Sequence, residues 1–211
     1  MSRLFNKFFR SAAGLPKGMT TAEALAPVRA ARRAQDVVIT TMSAAKVWMD
    51  MGPLHPLDHV FVPSCMSHAT SVGLGIALAQ PERRVYVLNG DGSMLMNLGS
   101  LVTIGAQAPK NLAVIVLVNG VYEVTGSQPI PGGDAADFVA IAAASGFQHS
   151  AKLERTNQWN WYAAELFDDD GPAFVELAVV PDLDRPAPRS PGPAAARAQQ
   201  LRTALLTPIP R

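Results

Sequence analysis

The sequence predicts an α/β fold, a doubly wound parallel sheet with helices on both faces, and three observations carry that expectation. Apolar stretches of strand length alternate with helical patterns along the chain, the order that builds βαβ units. Residues 84–90, through Val85-Tyr-Val-Leu88, and 111–118, through Leu112-Ala-Val-Ile-Val-Leu-Val118, carry continuous apolar runs, as strands covered on both faces require. Each of these runs ends in residues suited to ligands, Gly90-Asp91-Gly92-Ser93 and Asn119-Gly120, and the carboxyl ends of strands are where open α/β sheets bind them.

Taken in order, Thr20-Thr21-Ala22-Glu23 forms a capping box that opens a helix to about Ala34. A strand follows at Asp36 to Thr40, then a helix near Ser43 to Met51 and a short strand from His59 to Pro63. A helix at Ser67 to Ala79 leads to the strand 84–90. After the Gly-Asp-Gly turn the run Ser93 to Leu101 predicts a helix, and 111–118 the next strand. Helices near Asp134 to Ser145 and Thr156 to Phe167 and a last strand at Ala173 to Val180 complete the domain. There is no internal repeat.

The 211 residues fit one domain with tails, and 48% hydrophobic with 17% charged residues is a composition able to bury a full core. A net charge of +1 gives no field for nucleic acid. No apolar run reaches the roughly 18 residues needed to span a membrane, and the reading is a cytoplasmic protein. Cys65 stands alone, which excludes an internal disulfide framework and an all-cysteine cluster. Residues 1–19 carry four basic residues, no acid and Phe5, Phe8 and Phe9; they read as an arm on a neighbouring subunit or as disorder rather than a transit peptide. Residues 20–180 are the folded domain. Residues 181–211, with seven of the seventeen prolines and five arginines, read as an extended, solvated tail containing a short helix at Ala194 to Leu206.

The two strand ends have the chemistry of a metal–diphosphate site. Magnesium takes hard oxygen ligands, usually one or two protein groups plus phosphate oxygens. Asp91 offers a charged oxygen, Asn119 a neutral amide oxygen, and the backbone carbonyl of Val121 a third. Gly90 and Gly92 allow close approach of the backbone, and the helix that Ser93 opens presents free amides to an anion. Gly73-Leu74-Gly75 lacks a third glycine and follows no strand directly, so the dinucleotide fingerprint fails. Asp168-Asp169-Asp170 reads as a solvated helix end, and His55, His59 and His149 lack ligand spacing and read as structural.

Met66-Ser-His-Ala-Thr-Ser-Val-Gly-Leu-Gly75, Gly90-Asp91-Gly92-Ser-Met-Leu-Met and Thr125-Gly-Ser-Gln-Pro129 resemble motifs of the diphosphate-binding domain of thiamine diphosphate enzymes. The likeness is greatest to the phosphonopyruvate decarboxylases and the β subunit of sulfopyruvate decarboxylase, and it covers about residues 20 to 180. Ser67 stands where that family commonly has Gly, Asn89 where Asp is frequent, and Val121 where a smaller residue is usual. The resemblance implies thiamine diphosphate and Mg as cofactors, with Asp91, Asn119 and Val121 as metal ligands and Gly90, Gly92, Ser93, Tyr122, Glu123 and Val124 around the cofactor. It also implies that Met66 wedges beneath the thiazolium, that the Ser64 carbonyl receives the aminopyrimidine's amino group, and that His68 relays protons or caps its helix.

In that family a glutamate from a pyrimidine-binding domain activates the cofactor, and no such domain is found ahead of residue 36. The resemblance therefore implies half an enzyme: a β-type subunit of a 2-oxoacid decarboxylase, in a hetero-oligomer with at least two copies of each chain. A small 2-oxo acid of the sulfopyruvate or phosphonopyruvate class would lose carbon dioxide and leave as an aldehyde. An acetolactate synthase-like carboligase subunit is a second reading, and a subunit that binds cofactor or partner without catalysis, motivated by Ser67 and Asn89, is a third. The single cysteine argues against the β subunits of 2-oxoacid:ferredoxin oxidoreductases, which need several for their cluster.

Overall fold

Six strands, the central four of them rich in apolar residues, pair in parallel because helices between them carry the chain back to the same end of the sheet each time. The computed structural model describes residues 18–61, 66–167, 170–184 and 186–209. Its elements are α1 (Thr21–Ala31), β1 (Val37–Thr41), α2 (Met42–Asp50), β2 (Asp58–Phe61), α3 (Ala69–Ala79), β3 (Val85–Gly90), α4 (Asp91–Leu95), α5 (Gly99–Gln107), β4 (Leu112–Val118), β5 (Val121–Tyr122), a 3₁₀ turn (Glu123–Thr125), β6 (Gln128–Pro129), α6 (Phe138–Ala144), β7 (His149–Leu153), α7 (Thr156–Leu166), β8 (Ala173–Ala178) and α8 (Ala194–Leu206). The main sheet has the order β2-β1-β3-β4-β8-β7, while β5 and β6 form a separate two-stranded ribbon. From β1 the chain builds outward to β2 on one side and to β3 on the other, so the strand order reverses between β1 and β3. A crevice opens at such a reversal, at the carboxyl ends of the strands.

Strands β1, β3, β4 and β8 are buried along almost their whole length, and two apolar layers sandwich them. One layer packs α1, α2 and α7 through Leu25, Val28, Trp48 and Trp159. The other packs α3, α5 and α6 through Leu74, Leu101, Ile104 and Phe138. Both buried indoles are satisfied: Trp159 Nε1 donates to Ala24 O at 2.8 Å and Trp48 Nε1 to Asp58 Oδ2 at 3.1 Å. Truncating either to Ala would cost about 3–5 kcal/mol through the cavity left behind.

Local chemistry explains where elements begin and end. Thr20 and Glu23 form the predicted capping box, with Glu23 N donating to Thr20 Oγ1 at 3.2 Å and Thr20 N to Glu23 Oε2 at 2.7 Å. The first helix stops at Ala31 rather than near Ala34, because the buried Asp36 carboxylate captures the Arg33 N–H at 2.9 Å. The helix expected over Ser93 to Leu101 is two helices, α4 and α5. Between them Asn97 turns outward from the helical path and donates its amide to Ser67 O at 3.0 Å. Strand β7 was not anticipated: it is a half-buried edge strand of mixed polarity, with Ser150 and Lys152 among its five residues. At the C-terminal end, α8 spans the predicted Ala194 to Leu206, yet the segment is not wholly extended and solvated as expected. Leu201 is buried in the second core layer, and Arg197 donates to Val60 O of the edge strand β2.

Candidate cofactor site

The crevice at the reversal collects residues from three strand ends. Asp91 follows β3 directly and is 4% exposed. Its Oδ2 accepts the backbone N–H of Asn119 at 3.0 Å and of Gly120 at 2.7 Å, and its Oδ1 accepts that of Gly92 at 2.8 Å. Burial pushes the carboxyl up to about 6, and the hydrogen bonds from Gly120, Gly92 and Asn119 offset only part of this. Asn119, at the end of β4, accepts Val121 N on its Oδ1 at 3.0 Å, and this side-chain turn reverses the backbone at Gly120, where φ is +74°. Asp91, Asn119 and Val121 thus share one cleft, as the sequence predicts. Among the described residues no three His, Cys, Asp or Glu side chains converge, so a cation here would be held by mixed carboxylate, amide and carbonyl oxygens.

The two glycines serve different purposes. A Cβ on Gly90 would meet no atom within 4 Å, so the chain is open to the cleft at that point. A Cβ on Gly92 would lie 2.4 Å from Tyr122 Cε1, so the room expected there for a ligand is taken by the tyrosine ring. The loop after Asn119 folds over as the β5–β6 ribbon, with Val121, Tyr122, Glu123 and Val124 along the cleft. Glu123 is buried; its Oε1 accepts the Asp182 N–H, and its Oε2 has no hydrogen-bond partner.

Met66 lines the same cleft. Ser64, expected to offer a carbonyl here, lies outside the described residues, as does Cys65. Ser67 has φ +73°, the left-handed region that glycine favours, which explains the family's usual residue. It is held there by its N–H on Ser93 Oγ at 3.0 Å and by Asn97 on its carbonyl. Ser93 is 2% exposed and so braces the Met66 turn from beneath. His68 is exposed and does not line the cleft. Its Nδ1 lies 2.9 Å from both Met66 O and Ser67 Oγ, so the ring is turned back onto its own turn. The buried Asn89 turns its Oδ1 to Gly90 N at 3.0 Å.

Sequence reasoning missed Thr41, Met42 and Ser43, which line the cleft where β1 runs into α2. Thr41 stands at the N-terminus of α2, where its side chain makes no capping bond to the helix amides. No local signal marks these residues, since their position follows from β1 lying beside β3. Of the histidines read as structural, His55 accepts Leu57 N on Nδ1 at 3.1 Å and His59 packs edge-on against Phe61, with centroids 4.6 Å apart. Burial holds both below the usual histidine range.

The cleft has a volume of about 40 Å³, well under the roughly 300 Å³ at which small-molecule pockets begin. A wider groove of about 1050 Å³ lies between α8 and the β2 edge, lined by His55, Asp58, Arg83 and Gln200. It reaches Gln35 and Arg83, just ahead of β1 and β3, whereas ligands of such sheets sit at the carboxyl ends. The strand-end cleft is therefore the functional candidate.

Over 132 residues the chain is 42% identical to phosphonopyruvate decarboxylase of Streptomyces viridochromogenes, covering 61% of this chain and 33% of that protein. Over 123 residues it is 44% identical to the sulfopyruvate decarboxylase subunit beta of Methanothermobacter thermautotrophicus, covering 58% of this chain and 63% of that one. The chain thus spans a third of the first relative and just under two thirds of the second. Among solved structures, a thiamine diphosphate-dependent 4-hydroxybenzoylformate decarboxylase of Rhodococcus jostii RHA1 superposes with a TM-score of 0.69 at 20% identity, over 83% of this chain and 35% of that one. Benzoylformate decarboxylase of Polynucleobacter necessarius gives 0.62 at 19%, over 79% and 33%. These two likenesses show a shared fold. Residues 36–177 match the family described as thiamine pyrophosphate enzyme, C-terminal TPP binding domain. The chain belongs to the thiamine pyrophosphate enzymes, as a bearer of their C-terminal cofactor-binding domain.

Proposed function

We propose that this chain is the diphosphate-binding subunit of a thiamine diphosphate- and magnesium-dependent 2-oxoacid decarboxylase, acting on substrates of the sulfopyruvate and phosphonopyruvate class. The observation that carries the reading is the buried Asp91 carboxylate, which receives three backbone N–H groups but, among the described residues, is paired with no cationic side chain. Such a charge is costly to bury alone, and a divalent ion beside it would remove the cost. Asp91, the Asn119 amide and the Val121 carbonyl would hold magnesium, leaving coordination positions for diphosphate oxygens and water. Gly90, whose missing side chain leaves open space, would admit the diphosphate, with Thr41 to Ser43 facing it from the junction of β1 and α2.

When bound, thiamine diphosphate supplies the electron sink that allows a 2-oxo acid to lose its carboxyl group. The chain's own residues hold and shield. Met66 would support the thiazolium; Tyr122, Glu123 and Val124 would cover the cofactor and exclude water; His68, the residue that opens α3 two positions after Met66, would relay a proton. Ser64 would lend its carbonyl. Ser67, seated by two hydrogen bonds where Gly is usual, preserves the Met66 turn, which favours an active site over a degenerate one.

A cleft of about 40 Å³ does not enclose such a cofactor, and that supports completion by a separate pyrimidine-binding chain that brings the activating glutamate. Relatives named as a subunit beta point the same way. The test is carbon dioxide release from 3-sulfopyruvate and 3-phosphonopyruvate by the complex purified from source cells and by the chain alone. Turnover is expected from the complex only; steady turnover by the pure chain would refute the two-chain reading, and an inert complex the decarboxylase itself.

A further inference from the structure

We propose that the groove between α8 and the β2 edge binds a small organic anion with an apolar body, away from the strand ends that form the cofactor cleft. Its volume of about 1050 Å³ stands at the top of the range of small-molecule pockets, roughly 300–1000 Å³. Helix α8 closes it as a strap tied at both ends. Arg197, in the first turn of α8, donates to Val60 O of β2 and to Gly192 O at 3.1 Å. Thr207 O, just past the last turn, accepts Arg83 Nη2 at 2.6 Å. Between these ties Leu201 is buried in the second core layer, while Gln200, Thr203 and Ala204 line the groove.

Charge decides what the groove takes. Arg83 is 4% exposed and stands on its wall. Nε donates to Gln80 Oε1 at 3.0 Å, Nη1 to Gln35 O at 3.1 Å and Nη2 to Thr207 O, and no carboxylate is bonded to it among the described residues. These bonds use three of the five N–H groups of a guanidinium, so two remain for a ligand. A buried cation held only by neutral oxygens is costly, and an anion beside it removes that cost. The Asp58 carboxylate also lines the groove, but it is engaged by Arg32 at 2.6 Å and by the Trp48 indole. His55 accepts Leu57 N on Nδ1, so its Nε2 carries a proton and is a further donor. Leu54, Leu57, Val60, Ala204 and Ile209 supply apolar wall. An inorganic ion would leave that wall wet, and a neutral molecule would leave Arg83 without a counter-charge; an organic anion satisfies both. Gln35 and Arg83 lie just ahead of β1 and β3, so the ligand takes no part in chemistry at the carboxyl ends, and the site does not depend on the decarboxylase reading.

The probe is anilinonaphthalene sulfonate, an aromatic anion whose fluorescence rises in apolar pockets, titrated into the full-length chain. Replacing Arg83 would also release Gln35 and Thr207, so its charge is countered from α8 instead. Thr203 is exposed, lines the groove and lies one turn before Thr207. Thr203→Glu brings a carboxylate to the groove, and Thr203→Gln brings the same bulk without charge; both should keep the circular dichroism of the parent. Thr203→Glu should weaken saturable binding of the sulfonate at least about tenfold, because the new carboxylate competes for Arg83. Thr203→Gln should leave it within about threefold of the parent. Phenylnaphthylamine, which has the rings without the sulfonate, should not distinguish the two variants. Equal affinity of the sulfonate for parent and both variants, or an equal loss in both, would overturn the proposal.

Discussion

Asp91 concentrates the chemistry of this site in one residue. Its carboxyl titrates at about 6 because burial outweighs three backbone hydrogen bonds. A carboxyl raised in the folded state stabilises the metal-free chain below the unfolded value near 4, and that stability is lost as pH rises to about 6, an effect on the order of 2–3 kcal/mol. Urea unfolding should show this slope between pH 4 and 6, and Asp91→Asn should abolish it. Magnesium binding requires the ionised form, so titrating magnesium and cofactor into the complex at pH 5.5 should release a proton that Asp91→Asn does not, and at pH 8 neither should differ. Ser67 offers a second test at this scale. A serine at φ +73° costs about 1 kcal/mol relative to glycine, so Ser67→Gly should raise stability to denaturant by up to that amount. A loss instead would mean that the contact of Ser67 Oγ with His68 Nδ1, at 2.9 Å, outweighs the strain. The residues proposed as ligands stand out in the sequence, because Gly-Asp-Gly and Asn-Gly end strong apolar runs. The strain at Ser67 was visible only as a departure from a family pattern; its cause needed the backbone.

Elements place these residues, and here sequence and structure part more often. The four central strands were legible because strands buried on both faces are almost continuously apolar. Strand β7 was not, since an edge strand needs only one side of its ladder and tolerates Ser150 and Lys152. The break between α4 and α5 escaped notice because Asn97 is stabilised by Ser67, thirty positions away in sequence. Thr41 to Ser43 were missed for the same reason, their role being set by which strands are neighbours. The β5–β6 ribbon is held over the cleft by the contact of Tyr122 with Gly92. Gly92→Ala, with its Cβ 2.4 Å from Tyr122 Cε1, should displace the ribbon and cost about 1–3 kcal/mol in thermal unfolding. Gly90→Ala meets no protein atom and should leave folding within about 0.5 kcal/mol while weakening cofactor binding in calorimetry. Equal effects of the two substitutions on stability would contradict this division of labour.

On the scale of the whole molecule, the parallel sheet reverses its strand order between β1 and β3, and the site lies where that reversal opens a crevice. The two helical layers are unlike: one is charged toward water, the other uncharged along α3 and α5. Composition alone could not reveal this, because 17% charged residues is ordinary and only their distribution over the fold is unusual. The cleft of about 40 Å³ is too small to enclose a cofactor by itself, which supports the proposed two-chain site. The central claim is that Asp91 and Asn119 hold the metal and diphosphate end of the cofactor. It is tested most directly by calorimetric titration of magnesium and thiamine diphosphate into the assembled complex with Asp91→Ala, in a preparation whose circular dichroism matches the parent. Loss of a charge-bearing metal ligand should weaken binding at least about 100-fold, corresponding to roughly 3 kcal/mol. Affinity within about threefold of the parent would contradict the assignment.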